Sequence, residues 1–396
     1  MKKVIIPFII FLILIAVTII VILFGKGYQI SFNGIKPDVS GTGILVATSN
    51  PDGAQVFIND HLSTATNNTI NLAPKEYDIK IFKQGYFPWE KHLKIEKGIV
   101  TKAEALLLPT APKLESITNI GVGNPVLDPS QTRIAYTVSS QSVKKNGIYV
   151  LDMTSRPILT LQGLSNQIAD DTTGLFSKAR LSWSPDGSSV IATVSAQNST
   201  TTYLLKADSL NQNPSDITET LSTVTLTWQK QILEKHKAQI DSLPKELRTF
   251  ATDYFNIIAW SPDELKILYQ VSKPATLPNV INPPLIGVNS TSEQRLLKKG
   301  KIYVYDIKED RNYKILDSQT KAEYSLSWLA DSKHIVYVHN QKVEIIEYDG
   351  KNITKVYAGP FADSYAFPWP DGGKVVILTN LGNTDTPPNL YTIGLK

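Results

Sequence analysis

The chain of 396 residues contains no cysteine and only five histidines. The absence of cysteine excludes disulfide frameworks, thiolate metal sites, iron–sulfur ligation, thiol nucleophiles and a lipidated N-terminal cysteine. The histidines are scattered, and only His334 and His339 are near neighbours, at an odd spacing that puts them on opposite faces of a strand. The others are His61, His92 and His236. The sequence therefore predicts no metal site and no cofactor.

Catalytic sequence motifs are absent as well. The sequence has no G-x-S-x-G elbow and no phosphate-binding G-x-x-x-x-G-K, and Gly121-Val122-Gly123 lacks the third glycine and the helix of a dinucleotide motif. No catalytic residue is predicted, and a non-enzymatic protein is expected. A propeller-type hydrolase or lyase stays an alternative, because catalytic acids at the mouth of such a ring need no linear motif. A sensor ectodomain of a membrane complex is a third reading.

Positive charge is concentrated at the N-terminus. The formal net charge is +4, and Lys2, Lys3 and Lys26 contribute three of those charges with no acidic residue near them. The remaining chain is close to neutral, which does not fit a protein that binds nucleic acid.

Residues 4–24 form a long uncharged apolar run. As a helix it would measure about 31 Å, enough to cross the hydrocarbon core of a bilayer. We expect residues 1–27 to be a transmembrane anchor rather than a signal peptide, because only Gly25 and Gly27 follow at the cleavage position. The positive-inside rule places the N-terminus in the cytoplasm. The expected localisation is the cell membrane, single-pass, with the bulk of the chain in the periplasm or at the cell surface.

Residues 43–108 show short alternating segments separated by turn residues, which predict short antiparallel strands in a small β-sandwich. They also resemble the PEGA domain family, through the turn Pro51-Asp52-Gly53-Ala54, the stretch "LAPKEYDIKI", which matches the family's central hairpin, and the corner "KQGYFPWEKHL". Lys75 stands where the family usually has a glycine, just before the strand that begins Glu76-Tyr77. The resemblance implies an adhesive or spacer module of the cell envelope. Large aromatic residues dominate core burial, so Tyr86, Phe87 and Trp89 are expected in the core rather than on a ligand platform.

After a proline-rich linker, one phrase recurs five times between residues 113 and 396: an apolar segment often carrying Trp, a turn, then a β-branched run. The turn column is Ser130, Asp186, Asp263, Asp331 and Asp371, and four residues later stand Ile134, Val190, Ile267, Ile335 and Val375. Each copy is followed by another predicted strand. Such units must pack on one another, so the repeat predicts a five-bladed, or six-bladed, β-propeller. A strand near "KLESITNIG" is expected to complete the last blade.

The repeats resemble TolB-like propeller repeats, whose signature is W-S-P-D-G-x-x-I-A followed by I-Y-x-x-D. The second copy fits best, whereas Leu127 replaces Trp in the first, Glu264 replaces Gly in the third, and Trp369 falls one place late in the fifth. The predicted fold class is thus all-β: an N-terminal transmembrane helix, a PEGA-like sandwich at 43–108, and a TolB-like propeller at 113–396 with a helical insertion. The repeated Asp residues are expected to cap turns rather than to catalyse or bind metal.

Two insertions interrupt the repeats. Residues 226–255 predict a helical hairpin with Pro244 at the start of its second helix, acting either as a cover for the sheet or as a docking helix. Residues 273–299 predict a long irregular loop, which we expect to bind a partner. The expected function is a membrane-anchored extracytoplasmic binding scaffold of the cell envelope whose partner is a protein, peptide or polysaccharide.

Overall fold

The computed structural model describes residues 2–25, 28–33, 36–154, 165–196, 199–317, 324–362 and 365–396. The chain divides into two compact units. The first consists of Met1–Leu107 and Ile281–Ser292, and the second of Leu108–Val280 and Glu293–Lys396. A twelve-residue segment from within the second insertion is therefore part of the first unit.

Helix α1 spans Lys2–Gly25, where the sequence is apolar. The structure describes the side chains of residues 7–22 of this helix. Within the described part of the chain, no helix is long and apolar enough to cross a membrane. The transmembrane anchor stays a prediction. Strands β1 (Tyr28–Asn33) and β2 (Lys36–Gly41) follow as an antiparallel pair.

Two sheets build the sandwich of the first unit. One has the order β6-β3-β9 and the other β5-β4-β7-β8. The strands are β3 Gly43–Asn50, β4 Gln55–Ile58, β5 His61–Ala65, β6 Asn68–Leu72, β7 Glu76–Phe82, β8 Trp89–Lys94 and β9 Val100–Leu106. Alternate side chains of both sheets meet in one buried core, which includes Leu45, Ala103, Val56 and Ile79. Trp89 belongs to this core and Tyr86 packs against it, as predicted.

Two details of the sandwich differ from the sequence prediction. Strand β9 pairs with β3 in parallel, from Ile44 opposite Val100 to Asn50 opposite Leu106. Parallel neighbours need a long crossover connection, and here the chain from β4 to β8 supplies it, with β4, β5, β7 and β8 in the second sheet and β6 beside β3 in the first. The "LAPKEYDIKI" stretch is not a hairpin, because β6 and β7 lie in different sheets.

The second unit is built from short strands with one pair of helices. Its elements are β10 Leu114–Ser116, β11 Gly123–Leu127, β12 Arg133–Val138, β13 Gly147–Asp152, β14 Ser165–Asp170, a 3₁₀ turn Phe176–Lys178, β15 Arg180–Trp183, β16 Ser189–Ser195, β17 Thr200–Lys206, β18 Ser215–Asp216, α2 Leu221–Asp241, α3 Lys245–Tyr254, β19 Phe255–Trp260, β20 Lys266–Val271, β21 Ala275–Thr276, β22 Leu296–Leu297, β23 Ile302–Asp306, β24 Arg311–Leu316, β25 Tyr324–Trp328, β26 His334–His339, β27 Lys342–Glu347, β28 Thr354–Ala358, β29 Ala366–Pro368, β30 Lys374–Thr379 and β31 Asn389–Gly394.

These strands form five four-stranded antiparallel sheets among the described residues. Sheet 1 is β11 to β14, sheet 2 is β15 to β18, sheet 3 is β19-β20-β23-β24, sheet 4 is β25 to β28, and sheet 5 is β10-β31-β30-β29. Strand β10 opens the unit in sequence yet pairs with the last strand, with Leu114 opposite Ile393. The prediction that "KLESITNIG" completes the last sheet is confirmed.

The repeat gives the five sheets one shared register. In each sheet, the strand that leads into the repeated turn (β11, β15, β19, β25 or β29) ends opposite the β-branched residue four places after the turn column. Those pairs are Leu127–Ile134, Trp183–Val190, Trp260–Ile267, Trp328–Ile335 and Pro368–Val375. In sheet 5 Pro368 occupies the position of the tryptophans, so Trp369 lies one place late, as predicted. All five β-branched residues are fully buried.

Neighbouring sheets pack through buried apolar side chains. Sheet 1 shares one core with sheet 2 and another with sheet 5, and sheet 3 shares a core with sheet 4. Gly372 of sheet 5 also lies against Ala330 of sheet 4. The described packing thus links the sheets in the order 2, 1, 5, 4 and 3. Closure of this row into a propeller ring stays a prediction.

Candidate interaction surface

The repeated Asp side chains hold the turns. Asp186 Oδ1 accepts hydrogen bonds from Ser184 Oγ at 2.6 Å and from the Ser188 amide at 2.9 Å. These donors stabilise the carboxylate and lower the pKa of Asp186 to about 2. Asp263, Asp331 and Asp371 accept amide hydrogen bonds from residues two places further on in the same way. These carboxylates therefore cap their turns, as the sequence predicted.

The residue after each of these turn positions has a positive φ. In two repeats it is Gly187 or Gly372, with φ of 70° and 66°. Glu264 takes the same place with φ of 57°, which explains how the third repeat keeps its turn without glycine. A residue with a side chain is strained at positive φ, and here that residue is Glu264 in the turn.

The second helix of the insertion covers sheet 3. Helix α3 begins after Pro244, as predicted, and buries Leu247 and Ala251. These residues share a core with Tyr269 and Tyr303 of sheet 3, and Phe250 stacks on Tyr254 with ring centroids 4.4 Å apart. For α3, the sequence alternative of a sheet cover is the one observed.

The first helix of the insertion behaves differently. None of the 21 residues of α2 is buried. Leu226 and Leu233 are 65% and 67% exposed and stand seven residues apart, on one face of the helix. Lys230 and Lys237 stand on the same face, and the Lys230 ammonium lies 3.9 Å from Glu234. This alternation of leucine and lysine is the α2 face.

Helix α2 is held in place at its C-terminal end. Gln239 Nε2 donates to Glu264 Oε1 at 2.9 Å, in the turn between β19 and β20. Arg248 of α3 donates to the Leu243 carbonyl at 3.1 Å and lies 3.8 Å from the Asp241 carboxylate. The α2 face is thus presented by an anchored helix, not by a free end.

The second insertion leaves sheet 3 through two stems that pair as β21 and β22, with Ala275 opposite Leu297. A largely buried ion network joins them. Arg295 lies 3.2 Å from Asp310 and 3.0 Å from Glu293, and it donates to the Pro278 carbonyl at 2.8 Å. Tyr305 donates to Asp310 Oδ1 at 2.7 Å, and burial raises the pKa of this tyrosine.

The apex of this insertion is bound within the first unit. The Lys94 amide donates to Ser290 Oγ at 3.0 Å, and the Gly287 amide donates to the Glu96 carboxylate. Within residues 273–299, the segment Ile281–Ser292 thus contacts residues of its own chain, while partner binding by this loop stays a prediction. This contact could not be predicted from local sequence, because the residues that bind the segment lie nearly two hundred positions earlier in the chain.

In the part of the chain that the structure describes, no group of three or more His, Asp or Glu side chains is placed to hold a metal ion. His334 and His339 each pair with an acid instead: His334 Nδ1 lies 2.6 Å from Asp331 and His339 Nε2 lies 3.2 Å from Glu344.

Comparison with known proteins supports the first predicted domain directly. The PEGA domain model matches residues 42–110, so the PEGA resemblance is confirmed. None of the curated proteins matches the chain.

Among solved structures, the chain is similar to two TolB structures. For TolB of Agrobacterium tumefaciens the identity is 14%, with 70% of this chain and 74% of that chain covered and a TM-score of 0.22. For TolB of Acinetobacter baumannii the identity is 16%, with coverage of 81% and 60% and a TM-score of 0.24. The sequence repeats resemble repeats of the same TolB type. The description of the fold given above rests on the sheets and strand register of this chain alone.

Proposed function

We propose that this chain is a membrane-anchored extracytoplasmic scaffold of the cell envelope that binds a protein partner through the α2 face. The observation that carries the proposal is the exposure of Leu226 and Leu233 on a helix with no buried residue. A solvated helix of this length has no need of leucine at such positions, and exposed apolar groups on anchored helices suit a protein groove.

The chemistry of the α2 face favours a protein over a polysaccharide. Sugar-binding surfaces use aromatic rings with hydrogen-bonding groups beside them. The α2 face offers the aliphatic side chains of Leu226 and Leu233. Burying such side chains against another apolar surface contributes about 25 cal/mol per Å². The lysines on the same face would lie at the rim of the contact, where charge contributes mainly to orientation and association rate.

The envelope location is supported by sequence and by the PEGA match. Residues 4–24 carry no charge and are long enough to span a bilayer. The PEGA match at residues 42–110 and the TolB similarity fit a chain whose bulk lies outside the cytoplasm. The five repeats use their Asp and Trp residues for turns and packing, so the proposed role is binding rather than catalysis.

Topology is tested on the full-length chain by fractionation and external protease. The proposal expects the chain in the membrane fraction, with everything beyond residue 27 digested from outside. A mature form beginning near Tyr28 in the soluble fraction would show instead that the apolar segment is a signal peptide.

Binding is tested with the ectodomain, residues 27–396, immobilised and exposed to detergent-solubilised envelope. The double variant Leu226→Asp/Leu233→Asp should lose a protein that the unchanged ectodomain retains, because two carboxylates cannot enter an apolar groove. Leu62→Asp is the matched control, since Leu62 is 60% exposed on the sandwich. Equal retention by the double variant would refute the role of α2.

A further inference from the structure

The turn after β8, residues 94–99, is a structured surface of the sandwich. Among the described residues, strand β8 is the edge of its sheet, and the Lys94 amide at its end donates to Ser290 rather than to β7. The chain then turns at Gly98, whose φ is 70°. Backbone hydrogen bonds fix this turn on β3: the Gly98 amide donates to the Thr42 carbonyl at 3.0 Å, and the Ile44 amide donates to the Ile99 carbonyl at 2.9 Å.

Three contacts seat Ile281–Ser292 on this surface. Ser290 Oγ accepts the outward amide of Lys94 at 3.0 Å. The Gly287 amide donates to the Glu96 carboxylate. Lys94 Nζ, 2.9 Å from this carboxylate, and secondarily the Gly287 amide lower the pKa of Glu96. The third contact is close packing of Gly287 on Ile99, where an added Cβ would stand 2.6 Å from Ile99 Cγ2.

The close approach of Gly287 makes the fit selective. Its φ of 70° already favours glycine, and a side chain at this position would have to displace Ile99. The Ser290 hydroxyl accepts the Lys94 amide at the strand edge, and the Gly287 amide donates to the Glu96 carboxylate. Exposed strand edges are commonly blunted by covering them with a loop. The PEGA match ends at residue 110 and does not include this segment.

We propose that residues 94–99 form a peptide-docking site of the sandwich, filled in this chain by its own segment Ile281–Ser292. The site takes a segment that bends at a glycine against Ile99 and carries a hydroxyl three residues later. This inference is independent of the α2 face, because a different unit and different residues carry it.

Hydrogen–deuterium exchange on the full chain tests the site. Ser290→Ala should speed exchange of the Lys94 amide about five- to tenfold, which is the effect of losing one hydrogen bond. Ser292→Ala is the matched control, since Ser292 is exposed in the same segment, and it should leave that amide unchanged. An unchanged Lys94 amide in Ser290→Ala would overturn the hydroxyl's role in the site.

Gly287→Val tests the close contact. It should speed exchange across residues 94–99, because the new side chain cannot fit against Ile99. Gly382→Val is the control for backbone strain alone, since its φ is 84° and its nearest neighbour to an added Cβ is Pro360 at 3.5 Å. Equal effects of the two variants on residues 94–99 would contradict the proposal.

A segment replacement tests docking directly. With residues 281–292 replaced by a Gly-Ser linker of equal length, residues 94–99 should exchange faster, and a synthetic peptide of residues 281–292 at millimolar concentration should restore their protection. The same peptide with alanine for Ser290 should restore less. Unchanged exchange after replacement, or no protection by the peptide, would reject the docking site.

Discussion

The amide of Leu390 donates a hydrogen bond of 2.9 Å to the hydroxyl of Thr118, a residue 272 positions earlier in the chain. The same hydroxyl lies 3.1 Å from Asn389 Oδ1, which also accepts the Gly121 amide at 3.0 Å. These bonds join the beginning of the second unit to its last strand, next to the pairing of β10 with β31.

Thr118→Ala should destabilise the second unit by about 1–3 kcal/mol, because the buried Leu390 amide loses its acceptor. Denaturant unfolding of the ectodomain measures the effect. Thr249→Ala, at an exposed position of α3, is the control and should shift stability by less than about 0.5 kcal/mol. A loss no larger than that of the control would mean that this junction contributes little.

Arg295→Ala should be among the most destabilising single substitutions in the second unit. It removes the cation 3.2 Å from the buried Asp310, whereas Glu293 keeps Arg311 at 3.3 Å, and breaking a buried ion pair on one side costs about 3–5 kcal/mol. The measurement is the free energy of unfolding, with Arg180→Ala at an exposed position as the control. Equal stability of the two variants would contradict the assigned role of the network.

The two helices of the first insertion should respond oppositely to the same substitution. Leu247→Ala in α3 removes a fully buried side chain and should cost about 2–5 kcal/mol. Leu233→Ala in α2 removes an exposed one and should change stability by no more than about 0.5 kcal/mol. Thermal unfolding of both variants checks the division of labour, and similar losses would show that α2 also covers the core.

The imidazole of His92 should titrate above its usual range. Its Nδ1 lies 2.7 Å from Asp78 and its Nε2 lies 3.3 Å from Glu76, and both carboxylates raise the pKa of this histidine. The stabilisation is present below about pH 6.5, the unfolded value, and is lost as pH rises through the higher folded pKa.

NMR titration of the ectodomain measures the His92 pKa. Asp78→Asn should lower it, whereas Asp52→Asn, on a distant turn of the sandwich sequence, should not. A His92 pKa at or below the ordinary value in the unchanged protein would rule out the ion pair in solution.

The repeated elements were predictable because their signals are local. Five β-branched residues recur four places after a turn residue, and strand alternation fixes which face they take. The structure buries all five, including Ile134, whose repeat lacks the tryptophan. The late position of Trp369 could be foreseen for the same reason, since a shift of one residue changes the face of a strand.

Features that depend on distant partners could not be predicted. Leu233 and Leu247 both follow helical spacing, yet only Leu247 is buried, because α3 packs along the core of sheet 3 whereas α2 reaches that core only with Ile240 near its C-terminal end. The parallel pairing of β3 with β9 and the seating of Ser290 on Lys94 likewise have no local signal. Gly287 has no local sequence signal for its role, because that role depends on its contact with the distant Ile99.

Site-specific photo-crosslinking in intact cells tests the central claim most directly. A photoreactive residue at position 233 of the full-length chain should give a discrete adduct with one envelope protein, because the α2 face is the proposed contact. The same residue at position 62, equally exposed on the sandwich, is the reference position. An adduct at 233 that is absent at 62 is the predicted result, and the absence of any adduct at 233, or the same adduct at both positions, would contradict the account.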